Sequence, residues 1–521
     1  MWNETTSLWI KTVLAAAALA VVVAHEWNRR SRPAERATAG ATARTRALQV
    51  LGALSLLAYF NFGSFHFDGI FVHLWDSTHY VLGAKYFDEL GYDGIYECIA
   101  VADAEAPGET ARVAARQMLD LRTGHMTTAA ESVAHPERCR TRFSPSRWAD
   151  FTRDVGFFRE RFPAADWDRL GTDHGFNASP AWILIAHPLV GSSALTWWKV
   201  KGLAMIDPLL LAGAFAALVW AFGGWTAALA AVVMGTYFPA RLWWTGGSFM
   251  RWDWLATLLG GLALCRRERP FTGGALLGYA AMVRIFPGFA LVGVALGAAT
   301  ALATRKPLAS GVGRLLAGGL CAVVILAVLP AIAGRDRAWL DFAGRLEDHA
   351  SVPSPNRMGL AVVLAHDSSA SSVERAHAPS GDSLSPRARW EDAHAAVLRR
   401  RRGWWIAALV AGVVGIAAAT RGEPAWATGL LGLLLVPLGT PIACYYYAFV
   451  AAVPLLAQRR TEVGALALAL ALAASLVSRL GPSADDRQYF AQSLLVVAAF
   501  VFIASAFSSR SRPQSPPAST S

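Results

Sequence analysis

The sequence predicts an all-α polytopic membrane protein, a bundle of about 13 transmembrane helices with one large polar loop near its N-terminus. Three observations predict it. Only 16% of residues are charged against 54% hydrophobic, and mean hydropathy is +0.36, whereas a water-soluble domain carries nearer a quarter charged. Apolar runs approaching the ~20 residues of a bilayer-crossing helix recur along the whole chain. Arginines punctuate the ends of those runs, as in Arg266-Arg267-Glu268-Arg269 and Gln458-Arg459-Arg460. That placement is how positive-inside loops read, so the net charge of +11 implies a membrane lipid surface and no nucleic acid as partner.

The apolar runs fall at 8–25, 47–63, 203–222, 225–240, 251–265, 272–284, 286–303, 314–333, 403–420, 425–438, 441–457, 463–479 and 489–507. The first lacks a basic lead-in and a small-residue cleavage site, and is read as a retained helix. Arg29, Arg30, Arg32, Arg36, Arg44 and Arg46 place segment 26–46 in the cytoplasm, with Arg266–Pro270, Thr304–Pro307, Arg459–Arg460 and the tail bearing Arg510 and Arg512. Counting helices from either end then puts 64–202 and 334–402 outside, with Arg399–Arg402 at an outer boundary against the charge rule. Ala181–Val190 must not cross. It opens with Ser179-Pro180, contains His187-Pro188, and is read as a helix in the outer interface.

The organisation that follows has five parts. Residues 1–46 are an extra N-terminal helix and basic cytoplasmic loop, and 47–333 a transmembrane module carrying the outer loop 64–202. Residues 334–402 form a second outer loop whose Ala365–Arg389 stretch, rich in Ser, Pro and Asp, reads as a flexible excursion. A C-terminal transmembrane module spans 403–507, and a Ser/Pro-rich tail, 508–521, reads as disordered. No internal repeat is evident. Cys265, Cys321 and Cys444 fall in apolar runs and read as small buried hydrophobes. Cys98 and Cys139 share the polar loop, where an oxidising compartment would permit a disulfide.

Candidate chemistry concentrates after the second helix. Every histidine except His25 lies in or beside the outer segments, and the densest patch runs from Phe65 to Tyr80 and leads into an amphipathic, helix-like stretch, Val81–Leu90. A carboxylate at a membrane surface among aromatics is partly desolvated, which favours its use as a base; Asp76 and Asp68 are the candidates. The alternative is an interfacial aromatic belt with solvated acids. His66, His73 and His79 match neither a helical i, i+4 metal pair nor a zinc-finger spacing, so no metal and no cofactor is assigned. Arg284 sits between two apolar runs and must find an anion, water or an acid such as Asp253. Arg251, beside Asp253, is a second candidate cation.

Longer segments carry a family resemblance. Trp75-Asp76-Ser77-Thr78-His79-Tyr80, Lys85-Tyr86-Phe87 and Gly91-Tyr92-Asp93-Gly94-Ile95-Tyr96 resemble the first outer loop of GT-C glycosyltransferases. Later segments agree in order: Asn177-Ala178-Ser179-Pro180 with its apolar half-helix, Met250-Arg251-Trp252-Asp253, and the Gly-rich stretch Gly274–Val283 ending in Arg284-Ile285-Phe286-Pro287. Ser354-Pro355-Asn356-Arg357-Met358-Gly359-Leu360 and Cys444-Tyr445-Tyr446-Tyr447 are similar to family 87-type membrane mannosyltransferases. The resemblance spans roughly 47–460 and implies a GT-C-like bundle with juxtamembrane helices in its first outer loop. It implies transfer of a hexose, with mannose as the family 87-type sugar, from a polyprenyl-phosphate donor to a glycan, glycolipid or protein acceptor. The site would face the exterior or periplasm of a bacterial inner membrane.

In that reading Asp76 or Asp68 is the base of an inverting transfer, and Arg284, Arg251 or Arg357 holds the phosphate through forked donors. His79, Tyr80, His174, Asn356 and Tyr446 complete the candidate substrate site. Phosphate leaves as an anion, so no general acid is needed, unlike in glycoside hydrolysis. Segments 100–175 and Ala365–Arg389 have no family counterpart, which leaves the acceptor open. Two other classes compete. A transporter or flippase for a lipid-linked solute would favour broken helices with charges near the midplane. A membrane scaffold would leave the Asp76 patch without a pocket.

Overall fold

The computed structural model describes residues 3–31, 40–351, 353–367, 386–481 and 486–509. Arg32, Arg36, most of the 365–389 excursion and the tail arginines lie outside the described residues. The chain is an all-α membrane-type protein whose described strands form two two-stranded ribbons. Among the described residues, seven helices are long and apolar enough to cross a membrane: Glu4–Ser31, Trp197–Thr236, Phe286–Ala303, Val312–Ile332, Arg389–Ala419, Glu462–Leu480 and Asp486–Ser508. Other expected runs fold as shorter apolar helices, among them Pro270–Val283, Ala425–Gly439 and Cys444–Gln458. A helix of 14 residues such as Pro270–Val283 rises only about 21 Å, less than the ~30 Å hydrocarbon core.

Local sequence explains the irregular points. Runs 203–222 and 225–240 are one helical segment broken at Gly223, whose φ of 79° and ψ of 162° suit only glycine. Pro270–Val283 packs against Val312–Ile332 so closely that Gly274 and Gly278 leave no room for a Cβ beside Leu315 and Gly319. Cys444–Gln458 winds as a 3-10 helix of 15 residues. At ~2.0 Å per residue it reaches about 30 Å, where an α-helix would reach about 22 Å. The three-residue period aligns Tyr446 with Phe449, and both meet Phe286, at 5.3 and 6.0 Å between ring centroids.

Residues 61–195 fold as a polar unit seated on one end of this bundle. Its helices include Leu74–Lys85, Phe87–Leu90, Ile95–Ala104, Pro145–Arg159 and Ala164–Leu170, with a ribbon pairing Gln117–Leu119 and Met126–Thr128. Cys98 and Cys139 are disulfide-bonded. Its interior combines Tyr86, Phe151, Phe158, Trp167 and Phe176 with charges that are fully paired. Lys85 Nζ lies 2.6 Å from Asp154 Oδ2, both essentially inaccessible to solvent. Asp154 also accepts from the Tyr86 hydroxyl (2.8 Å) and the Leu195 amide (3.1 Å), and Lys85 donates to the Ser193 carbonyl (2.7 Å). Asp103 gathers Arg116 (2.8 Å), Arg159 (3.2 Å) and the Trp167 indole (2.6 Å). Desolvated charges persist only when hydrogen-bonded this completely.

Two expectations change. The stretch 81–90, expected to be amphipathic, breaks at Tyr86, and Val81–Phe87 is buried on every side because it is the central element of the polar unit. Segment 334–402, read as a loop between spans, is largely helical where it is described. It contains the helices Ala338–Ser351 and Leu360–Ala365 and the first half of Pro386–Ala419, which runs through Arg399–Arg402 without interruption. Pro180–Val190 is a short helix as expected. Ser179 caps it by accepting from the Trp182 amide (3.3 Å), and it packs on Leu74–Lys85, where His187 Nδ1 meets the Ala84 carbonyl at 2.8 Å.

Asp154→Asn should destabilise the protein by about 3–5 kcal/mol in thermal or denaturant unfolding, because it strands a buried ammonium. The double variant Lys85→Met/Asp154→Leu should recover much of that loss. Reducing the Cys98–Cys139 bridge, which closes a separation of 41 residues, should cost ~3–4 kcal/mol, read as a lower melting midpoint in reductant.

Candidate active site

The site forms where the polar unit meets the bundle. His73 caps the helix Leu74–Lys85: its Nδ1 accepts the Asp76 amide at 3.2 Å, so the ring proton sits on Nε2, 3.2 Å from the Trp243 carbonyl. Asp76 therefore stands in the first turn, where the helix dipole favours an anion. Its Oδ2 lies 2.9 Å from Arg251 Nε, with side chains 16% and 4% exposed respectively. The expected carboxylate among apolar groups is instead a carboxylate beside a guanidinium. Arg251 stacks on the Tyr80 ring at 4.0 Å and faces Tyr445 at 5.8 Å. Its backbone is fixed as well, because the buried Asp207 carboxylate accepts from the amides of Arg251 (2.7 Å) and Trp252 (3.1 Å).

Tyr80 links this pair to a cavity. Its hydroxyl donates to Asn177 Oδ1 at 2.5 Å, and Asn177 lines a cavity of ≈320 Å³. Val283, Phe286, Phe342, Leu346 and Ile442 give that cavity apolar walls, while Arg284, Arg345, Arg357 and Tyr446 supply polar groups. Arg284 is 8% exposed. One nitrogen donates to the Val283 carbonyl (3.2 Å) and the guanidinium lies 5.7 Å over Tyr446, but Nε and Nη2 have no hydrogen-bond partner among the described residues. Asp253, the anticipated partner, lies within electrostatic reach of Arg284 without a hydrogen bond to it, and its Oδ2 accepts from the Tyr279 hydroxyl at 2.8 Å.

Arg357 arrives on a two-residue strand. Arg357–Met358 pairs antiparallel with Ile442–Ala443, and the Asn356 carbonyl accepts the Cys444 amide at 2.8 Å. Burial disfavours the charged form of Arg357 and pulls its pKa below the usual arginine range. Arg345 comes from the helix Ala338–Ser351 and donates to the backbone carbonyls of Leu121 and His174, tying that helix to the polar unit.

The remaining sequence candidates hold the site's frame. Asp76 and Asp68 both lie outside the cavity wall, but Asp68 is exposed as well; its Oδ1 accepts the Ile70 amide at 2.8 Å and closes a turn. His79 bridges the Trp75 carbonyl (2.9 Å) and the Tyr96 hydroxyl (2.8 Å), cross-linking two helices of the polar unit. His174 contributes its backbone carbonyl to Arg345, and the Asn356 side chain accepts from Ser354 Oγ at 2.8 Å. Asn177 enters the sequence reading only within the segment Asn177–Pro180, and Asp207, Phe342 and Arg345 do not enter it. The four-residue spacing of Ala338 and Phe342 signals a helix face, but nothing in it marks the long-range contacts of Arg345. No group of three or more His, Cys, Asp or Glu suited to a metal occurs among the described residues.

These features define an all-α membrane-type protein with a cationic, apolar-walled cavity beside an aspartate–arginine pair. No family model, curated protein or solved structure matches the chain.

His66 and His73 pack ring to ring at 5.0 Å beside the cap of the Asp76 helix. Burial, then the neighbouring His73, pulls the His66 pKa down to about 4. A depressed histidine binds fewer protons folded than unfolded, so stability is full above pH ~6.5 and declines as pH falls towards about 4. Melting midpoints of the wild type should fall across that window, and His66→Gln should flatten the slope.

Proposed function

We propose that this chain is a membrane glycosyltransferase that moves a hexose from a polyprenyl-phosphate carrier to a hydroxyl acceptor. The carrying observation is Arg284: it is buried, lines the cavity, and two of its guanidinium nitrogens await an acceptor. A buried cation left this way is costly, and a phosphate oxygen answers both its charge and its forked geometry. Arg357 supplies a second positive group on the same wall. The apolar walls suit the first isoprene units of a lipid carrier.

The chemistry is a single inverting displacement. The acceptor oxygen attacks the anomeric carbon as the carbon–phosphate-oxygen bond breaks, and the bonding pair leaves with the phosphate. Asp76 takes the hydroxyl proton, while Arg284 and Arg357 meet the charge that grows on the departing phosphate. Arg251 orients Asp76 in this scheme, because its Nε already faces that carboxylate. The Cys98–Cys139 disulfide supports an extracytoplasmic location for the polar unit, since such bonds persist in oxidising compartments. The resemblance of 75–96, 250–253 and 274–287 to GT-C enzymes supports the same reading.

Purified protein incubated with polyprenyl-phospho-hexoses and hydroxyl acceptors should release polyprenyl phosphate. Asp76→Asn should lower the turnover about 100-fold or more, since a carboxamide accepts no proton, and should also lower the melting midpoint because it leaves Arg251 without its counter-charge. Arg284→Gln should weaken donor binding about 10-fold or more. A preparation that neither transfers nor hydrolyses any such donor, or an Asp76→Asn variant at full rate, refutes the assignment.

A further inference from the structure

A second cavity, ≈300 Å³ in volume, opens at the opposite end of the bundle. Three segments connect the two. Pro270–Val283, Ala425–Gly439 and Cys444–Gln458 each place one end at or beside each cavity. A rise of about 21 Å along the 14 residues of Pro270–Val283 sets the scale of their separation.

The chemistry of the second cavity differs from that of the first. Its wall carries Arg266, Arg459, Gln458, Ser310, Glu268 and Trp426. Arg266 is partly buried over the Trp426 ring at 5.8 Å, and its Nε is buried without a hydrogen-bond partner. Arg459 is balanced by Glu423 at 2.7 Å, and Gln458 is occupied by the Phe222 carbonyl and the Thr226 hydroxyl. That leaves Arg266 as the wall cation with a nitrogen unmet among the described residues; the Glu268 carboxylate in the same wall is exposed to solvent. Arg267, Arg269 and Arg460 adjoin the wall in sequence and make its rim basic. Arg267 also donates to the Trp220 carbonyl at 3.0 Å, next to a half-exposed tryptophan ring. A basic pocket between apolar helices, rimmed by arginine and tryptophan, has the composition that captures an anionic lipid headgroup at a membrane surface.

We infer that this second cavity is a phosphate-ester site, filled by the headgroup of an anionic phospholipid with Arg266 on the phosphate and Trp426 beside it. Binding there is independent of sugar transfer, so the inference stands or falls separately from the function assigned to the Arg284 cavity.

The test uses the full chain in zwitterionic micelles, titrated calorimetrically with dioctanoyl phosphatidylglycerol, dioctanoyl phosphatidylcholine and glycerol 3-phosphate. Phosphatidylglycerol should bind saturably, phosphatidylcholine should not, and Arg266→Gln should weaken the former about 10-fold or more. Ser310→Asp, on an exposed turn, brings a carboxylate to the wall with little risk to folding and should weaken binding similarly. Glycerol 3-phosphate binding as tightly as the lipid would uphold the phosphate-ester site and make its source soluble. Phosphatidylglycerol affinity unchanged in both variants, or equal affinity for phosphatidylcholine, would overturn the inference.

Discussion

The ion pair between Asp76 and Arg251 joins the polar unit to the bundle, and the geometry of the candidate site descends from it. Arg251 stands just before the helix Asp253–Arg266, where an isolated guanidinium would be expensive to bury. Asp76 offsets that cost from across the interface. Tyr80 covers the guanidinium face, and Asp207 holds the backbone from below. Each contact constrains the next: Arg251 places Tyr80, Tyr80 places Asn177, and Asn177 forms part of the cavity wall. Moving Asp76 would strand a cation as well as displace a carboxylate.

A contrast among arginines separates scaffold from candidate chemistry. In the polar unit, Arg116 and Arg159 converge on Asp103, Arg147 pairs with Glu89, and Arg335 reaches over to Asp88. Such pairs fix helices relative to one another and leave little capacity for a ligand. Arg116 and Arg251 also keep a buried nitrogen without a hydrogen bond, but each has a carboxylate within 3 Å; Arg284 and Arg266 keep such nitrogens, form no ion pair among the described residues, and border a cavity. A desolvated donor left unsatisfied has a free-energy cost that binding an anion relieves.

How much of this was legible in the sequence depended on whether the constraint was local. Helical runs were legible because a bilayer demands ~20 apolar residues whatever lies beside them. The break at Gly223 and the short helix after Ser179-Pro180 were legible from glycine, proline and a capping serine. Asp76 was legible as a charge among aromatics, but so was Asp68, and only tertiary burial distinguishes them. The stretch 81–87 misled because apolar side chains read alike whether they face lipid or a protein core. Arg345 was invisible because its importance comes from a helix laid back across a unit more than 150 residues earlier in the chain. The 3-10 winding of Cys444–Gln458 left no mark in composition at all.

The ribbon pairing Arg357–Met358 with Ile442–Ala443 has a thermodynamic consequence for affinity. An arginine on an untethered loop becomes ordered only when its ligand arrives, and that lost freedom is subtracted from binding. Arg357 is pinned through main-chain bonds that do not depend on neighbouring side chains, so its backbone entropy is already spent when the protein folds. Preorganisation of this kind concentrates the favourable enthalpy of a charge-assisted contact into the association step.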